Sequence, residues 1–281
     1  MSRRHPTVRR VLHEGRGDTA QRDLLFRNLR LPNGTRKTTW AHRLTDVDER
    51  IVHHLAGHRG PLRVLDVAVS SGVSTIELLD ALVAAGHEPD ATATDLLTHG
   101  VLVRVVPGLW AFTDEAGEVV QWDLAGIGLR ARSTRRSGAA ASAALGATHR
   151  AATAVGVARP VGRVALVHPD LPGRARLAQE DLLAPDHALD GPYDLVRAAN
   201  IVNRDYFDDA QLVAAARTLG RRLVDGGLLV VVRTTAEGQH RGTLWRRRDG
   251  RLVVVEHLGR PSDLDGLGVE DLELGPPLPI S

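Results

Sequence analysis

The sequence predicts an α/β fold built on a doubly wound, mostly parallel sheet of about seven strands, closed by an antiparallel hairpin at its C-terminal edge. Three observations carry this expectation. Residues 62–95 read strand, tight turn, helix, strand; the alternation resumes at Arg163; and two strand-like runs flank Asp249-Gly250 near the end.

In chain order, residues 1 to about 44 form a basic arm or lid that ends on the turn signal Leu31-Pro-Asn-Gly-Thr. Asp46 to Leu55 then reads as a short amphipathic helix carrying Ile51, Val52 and Leu55. Leu62 to Ala68 is an apolar run of strand length that ends in small residues. Ser74 to Ala85 places Ile76, Leu79, Leu82 and Val83 on one helical face before Gly86. Ala91 to Thr94 is a second strand, completing a βαβ unit with a right-handed crossover.

The pattern is then interrupted at about residues 100–160. Val101 to Phe112 and Glu118 to Leu124 are strand-like runs around Thr113-Asp-Glu-Ala-Gly, which suggests an inserted hairpin. A basic loop, Arg130 to Arg136, and an alanine-rich helix over Ala139 to Ala158 follow. From Arg163, Val164 to Val167, Ala175 to Gln179 and Tyr193 to Ala199 are expected strands, and Asp208 to Leu223 is an expected helix. Gly226-Gly227 turns the chain into the strand Leu228 to Arg233. Gly242 to Arg247 and Arg251 to His257 pair as the hairpin, so residues 45–281 make one domain with an insertion.

The chain has 281 residues, 43% of them hydrophobic and 25% charged, which suffices for a full core. It has no cysteine, which excludes disulfides and thiolate metal sites. The longest apolar runs fall far short of a membrane span, and no apolar segment follows the basic N-terminus as a secretory signal requires, so a soluble cytoplasmic protein is expected. Lys37 is the single lysine beside 35 arginines. Residues 1–43 hold eleven of these bases against three acids, whereas the last twenty-one residues hold five acids and no base.

Ligands of such sheets bind beyond the carboxyl ends of the strands, so the residues just after each strand are the candidates. They are Asp66 to Gly72, Asp95, Asp181, Asn200 and Thr234. In Val64-Leu-Asp-Val-Ala-Val-Ser-Ser-Gly, small residues Ala68, Ser70, Ser71 and Gly72 let backbone approach a ligand closely. Asp66, an acid inside an apolar strand, has to be paired or bound. Asp95 stands at the end of the second strand, where a carboxylate can accept both hydroxyls of a ribose; a ribosyl cofactor is therefore expected.

These residues resemble the class I S-adenosylmethionine-dependent methyltransferase family, whose first motif runs acid, apolar, Gly, any, Gly, any, Gly. Here Ala68 and Ser70 stand in place of two of the three glycines. Ala178-Gln-Glu-Asp181-Leu182 resembles the family's adenine-side motif, Tyr193-Asp-Leu-Val the start of its fourth strand, and Leu219 to Val232 its helix, Gly-Gly turn and fifth strand. The resemblance covers about residues 62–257 and rests on the order of the motifs.

It implies S-adenosyl-L-methionine as cofactor, with Asp66 near the methionine amine and Ala68, Ser70, Ser71 and Gly72 against the methionine and ribose. Asp95, followed by Leu96, would hold the ribose, Asp181 and Leu182 would flank the adenine, and Asn200 would lie beside the reactive methyl. Acceptor-side catalytic groups are sought in Asn200 to Phe207, in Asn200, Asp205 and Tyr206. The acceptor is expected to be a small molecule. RNA or protein methylation using the basic arm is the alternative within the class, so nucleic acid is a possible but disfavoured partner. A nicotinamide-dependent oxidoreductase and a cofactor-free scaffold are the alternatives outside it. The thirteen histidines show no metal-ligand spacing, so no metal is expected. His99, His240 and His257 are secondary candidates for a base, and the four tryptophans are read as packing residues.

Overall fold

The structure, a computed structural model, describes residues 6–31, 37, 40–131, 136–184, 189 and 191–276. It falls into two compact units: residues up to Trp40 with Leu97–Val167, and Ala41–Leu96 with His168 onward.

The second unit carries the expected sheet. Its seven strands are β1 (Pro61–Val67), β2 (Glu88–Asp95), β8 (Arg176–Gln179), β9 (Tyr193–Ala199), β10 (Leu223–Thr234), β11 (His240–Arg248) and β12 (Arg251–Gly259). They lie in the order β12-β11-β10-β9-β1-β2-β8. The run from β8 to β10 is parallel, and β11 and β12 reverse in turn. The β11–β12 turn has Asp249 at φ 49° and Gly250 at φ 73°, the pair of left-handed residues that a two-residue hairpin of this twist requires.

Helices α2 (Thr45–Leu55) and α3 (Val73–Ala84) pack against each other, while α5 (Asp209–Arg221) belongs to a separate core cluster. Strand alternation explains this division. Leu65 and Val67 of β1, Val196 and Ala198 of β9, and Leu229 and Val231 of β10 face Leu212, Ala215, Ala216 and Leu219 of α5. The intervening Asp66 and Arg197 point the other way, to α2 and α3. Asp208 starts α5 through a reciprocal capping box with Gln211.

The first unit is more than the expected hairpin. Strands β3 (His99–Val106), β4 (Leu109–Thr113), β5 (Val119–Leu124), β6 (Ile127–Arg130) and β7 (Arg159–Ala165) form an antiparallel five-stranded sheet in the order β6-β5-β4-β3-β7. Helix α4 (Arg136–Ala154) covers a small core of Val105, Leu109, Ala111, Trp122 and Ala152, with the Trp122 indole N–H donating to Ser142 Oγ at 3.2 Å.

The N-terminal segment is part of this unit. The Val8 N–H donates to Gln121 Oε1 at 2.8 Å, and Arg9 donates to Asp123 at 2.8 Å while stacking over Trp110 at 5.2 Å. Helix α1 (Thr19–Asn28), capped by Asp18, follows.

Four sequence expectations are corrected here. The run Val101 to Phe112 is two strands, broken where Pro107-Gly108 makes the turn. Val164 to Val167 does not resume the parallel alternation, because β7 pairs antiparallel with β3 in the other sheet. Gly226-Gly227 is not a turn before a strand; it lies within β10, where the register against β9 shifts between Leu223 and Leu228. The arm of residues 1–44 divides, and its described residues before Trp40 dock on the inserted sheet. The core of the predicted basic loop, residues 132–135, lies outside the described residues.

Candidate functional site

The strand order reverses between β1 and β9, so the crevice at their carboxyl ends is the topological switch point of the sheet. Both strands end on a residue with left-handed backbone: Ala68 after β1 at φ 58° and Asn200 after β9 at φ 63°. The loop from β1 to α3 is left-handed at alternate positions, Ala68, Ser70 (φ 59°) and Gly72 (φ 76°).

This loop is tied down on all sides. The Val69 N–H donates to the Thr94 carbonyl at 3.0 Å and the Gly72 N–H to the Val69 carbonyl at 2.8 Å. Ser71, which is buried, accepts at its carbonyl from the His168 N–H at 2.6 Å. Asp95 accepts the Ser70 N–H at 2.7 Å, joining the end of β2 to the loop. At Gly72 a Cβ would lie 2.3 Å from Leu171 Cδ2, and Leu171 is fully buried, so any larger residue there would force that side chain to shift.

On the other side of the crevice, the Asn200 N–H donates to the Val232 carbonyl at 2.7 Å, and its Oδ1 accepts the Thr234 N–H at 2.7 Å. Its amide nitrogen Nδ2 is buried with no hydrogen-bond partner. That is a spare donor at the switch point, in a place where leaving it unmet costs free energy. The following loop is organised by Asn203, whose Oδ1 accepts the Asp205 N–H at 3.0 Å and whose carbonyl accepts from Tyr206 and Phe207, each at 3.1 Å. The Asp205 carboxylate is exposed and paired with Arg233, while Tyr206 is half-buried near Arg43. Burial, reinforced by repulsion from Arg197, brings the Arg43 guanidinium down to about 10.

Asp66 is held differently from what the resemblance implies. Arg197 grips it bidentately, Nε to Oδ1 at 3.0 Å and Nη2 to Oδ2 at 2.6 Å, and Thr75 donates its hydroxyl to Oδ2 at 2.7 Å. The same guanidinium donates through Nη1 to Asp48 of α2 at 2.7 Å and through Nη2 to the Ser74 carbonyl at 2.9 Å. Arg197, Asp66 and Asp48 are all buried, so one cation answers two carboxylates under α2 and α3. Burial pushes Asp48 up to about 7 against the pull of Arg197. Although burial opposes its charge, Arg197 is held above the ordinary guanidinium value by Asp66 and Asp48.

The adenine-side pair separates. Leu182 is drawn into the core under α5 with Tyr193, Val196 and Leu212. Asp181 stays exposed, and its Oδ1 accepts the Leu183 N–H at 3.0 Å. Glu180, between this turn and β8, makes a buried ion pair with Arg222. Leu96 is half-buried directly after Asp95.

Of the histidines, His240 reaches the site's border: its Nδ1 lies 3.3 Å from Thr234 Oγ1 and its Nε2 3.1 Å from Asp46. His257 meets Thr243 at 3.2 Å, and His99 belongs to the other unit, beside Glu115 at 2.7 Å. Trp122 and Trp245 are core residues, whereas Trp40 is exposed.

The sheet gathers the loop Ala68 to Gly72, Asp95 and Asn200 at one edge. Arg197, Asp48 and Thr75 were not among the residues expected from the sequence. The signal for Arg197 was present, since an arginine inside the apolar run Tyr193 to Ala199 and an acid inside Val64 to Ala68 each need a buried partner.

No protein-family model matches the chain, and no curated protein matches it. Solved structures that the chain matches include methyltransferases. An amino pentose methyltransferase from Micromonospora echinaspora, CalS10, is 19% identical over 77% of this chain and 62% of its own, with a TM-score of 0.35. The sugar N-methyltransferase KedS8 from Streptoalloteichus is 15% identical over 80% and 76%, also at 0.35. An O-methyltransferase family protein from Burkholderia thailandensis is 16% identical over 80% and 46%, at 0.33. The chain thus spans less than two thirds of the length of the first and third of these. No helix among the described residues is long and apolar enough to cross a membrane.

Proposed function

We propose that the protein is an S-adenosylmethionine-dependent methyltransferase that acts on a small-molecule acceptor by in-line methyl transfer. The observation that carries this reading is the switch-point crevice. One wall is a loop left-handed at Ala68, Ser70 and Gly72 and tied to the carboxylate of Asp95; the other is Asn200 with a buried, unmet amide donor. Close backbone, a strand-end acid and a spare donor suit a cofactor that carries a ribose and an amino-acid tail.

In this reading Ala68, Ser70, Ser71, Gly72 and Asp95 hold the methionine and ribose, Leu96 and Asp181 border the adenine, and Asn200 directs its Nδ2 at the ligand. When bound, S-adenosylmethionine supplies an electrophilic methyl group on its sulfonium sulfur. Asp66 is a positioning residue, since its carboxylate is spent on Arg197 and Thr75 and so fixes the end of β1 to α3. Asp205 and Tyr206 stand on the loop after Asn200, where they orient the acceptor. Alignment of this kind contributes on the order of 7–11 kcal/mol of barrier reduction, so a dedicated base is not required.

Calorimetric titration with S-adenosylhomocysteine and with NADH tests the reading. Binding of the first in the micromolar range, about −8 kcal/mol, and none of the second is expected. Binding of NADH alone, or of neither, would overturn it.

A further inference from the structure

At the carboxyl edge of the same sheet, the loop Thr235 to Gln239 between β10 and β11 and the exit of β12 at Gly259-Arg260 border a half-open cavity of about 610 Å³. That is a small-molecule size. Its charged walls are Arg241, Arg260 and Glu237, with His240 beside them. The cavity is built into the sheet. Gly259 is left-handed at φ 64°, and a Cβ there would lie 2.6 Å from the His240 carbonyl, while the Arg260 carbonyl accepts the Gly242 N–H at 3.0 Å.

Arg241 is poorly satisfied where it stands. Its Nε is buried without a hydrogen-bond partner, and its Nη2 reaches Asp263 only at 3.4 Å. Asp263 is also shared with Arg233 at 3.4 Å and with the Arg204 N–H at 3.1 Å. Arg233 is answered mainly by Asp205, so Arg241 keeps only a long contact to Asp263 and an unmet Nε, which leaves hydrogen-bonding capacity for an incoming oxyanion.

Thr234 links the cavity to the switch point. Its N–H donates to Asn200 Oδ1 at 2.7 Å, and its hydroxyl lies 3.3 Å from Nδ1 of His240, a cavity wall. We propose that this cavity is a carboxylate-binding subsite for the methyl acceptor, with Arg241 and Arg260 receiving the carboxylate; its assignment to an acceptor rests on the methyltransferase reading above. A planar carboxylate matches the planar donor fork of a guanidinium. The acceptor is accordingly a small organic acid, anchored by its carboxylate while another atom is presented near Asn200.

The test uses full-length protein and direct binding, so that it does not depend on turnover. Benzoate, its neutral isostere benzamide, and inorganic phosphate are titrated into the parent, Arg260→Gln, and the double variant Arg241→Gln with Arg260→Gln, and each protein is also titrated with S-adenosylhomocysteine. Benzoate is expected to bind at least about tenfold more tightly than benzamide or phosphate, and the double variant to lose about tenfold in benzoate affinity. Affinity for S-adenosylhomocysteine is expected to stay within about twofold of the parent, since neither arginine belongs to the cofactor loop. Arg260→Gln alters an exposed side chain and keeps the test available if the double variant fails to fold; it should lose about threefold. Equal binding of benzoate and benzamide, tighter binding of phosphate, or unchanged benzoate affinity in Arg260→Gln overturns the subsite. Arginine-dependent benzoate binding in a protein that does not bind S-adenosylhomocysteine would leave the carboxylate site standing and remove the methyltransferase reading instead.

Discussion

Replacing Arg197 by methionine removes the guanidinium that answers both Asp66 and Asp48. Methionine fills much of the same volume, so the main change is electrostatic. Four hydrogen bonds of 2.6–3.0 Å are lost, and two buried carboxylates remain among Thr75, Ser74 and the apolar side chains of the sheet. Breaking a buried ion pair by removing one partner costs about 3–5 kcal/mol. With two acids stranded, the upper part of that range is expected, a large share of the roughly 5–15 kcal/mol that holds a domain folded.

The pH dependence separates this mechanism from simple loss of packing. Asp48 is already pushed by burial to about 7, above its ordinary 3.8. A folded pKa above the unfolded one means that the folded state binds the proton more tightly. The associated stabilisation is fully present below about pH 4 and is lost as pH rises through about 7. Without Arg197 the ionised carboxylates are worse placed still, so the variant should suffer most at pH 8 and recover part of the loss at pH 5. Urea unfolding of parent and variant at both pH values measures this. A loss under about 1 kcal/mol at pH 8, or the same loss at pH 5 and pH 8, would refute the argument.

Asp95→Ala removes the acceptor of the Ser70 N–H and, in the proposed function, the ribose contact; calorimetry should show affinity for S-adenosylhomocysteine falling at least about tenfold. Asp95→Asn keeps an oxygen for that N–H, so its thermal stability should stay near the parent's while affinity still falls. Gly72→Ala forces a methyl to within 2.3 Å of Leu171 Cδ2 on a backbone at φ 76°, and denaturant unfolding should show a loss of about 1–3 kcal/mol. Leu171→Ala in the same chain should relieve part of that clash, and an additive loss would count against it. Ala68→Gly and Ser70→Gly should each be neutral or stabilising by up to about 1 kcal/mol, because both positions are left-handed; a clear loss of unfolding free energy would contradict the strain inferred there.

The parts of the fold that could be read from the sequence are those fixed by neighbours in the chain. The strand, loop and helix from Pro61 to Ala84, the cap at Asp208 and the hairpin turn at Asp249-Gly250 each depend on residues only a few positions apart. The inserted sheet depends on distant ones. β6 is four residues long, and β5 finds partners for Gln121 and Asp123 in the N-terminal segment, more than 110 residues away. Val164 to Val167 has the same apolar signature whether it joins a parallel sheet or pairs with β3, so periodicity alone could not place it. The buried ion triad is likewise non-local, joining α2, β1 and β9 across 131 and 149 positions.

The glycine-poor loop shows why residue identity and backbone conformation have to be weighed separately. Two of the three glycines expected by resemblance are Ala68 and Ser70, which on residue identity alone counts against a cofactor loop. Both nevertheless take the left-handed backbone that glycine would supply, at a cost of about 1–2 kcal/mol each. Such strain persists only where the surroundings overdetermine it. Here the Val69 and Ser70 N–H groups are drawn to β2 through the Thr94 carbonyl and the Asp95 carboxylate, and the Ser71 carbonyl to His168. Alanine and serine are also the smallest side chains after glycine, so little bulk is added to the loop. At Gly72 the balance differs, because a Cβ there would press on the buried Leu171 side chain, and the residue is glycine. The left-handed conformation is thus present at all three positions, with glycine at the one where an added Cβ would meet a buried side chain.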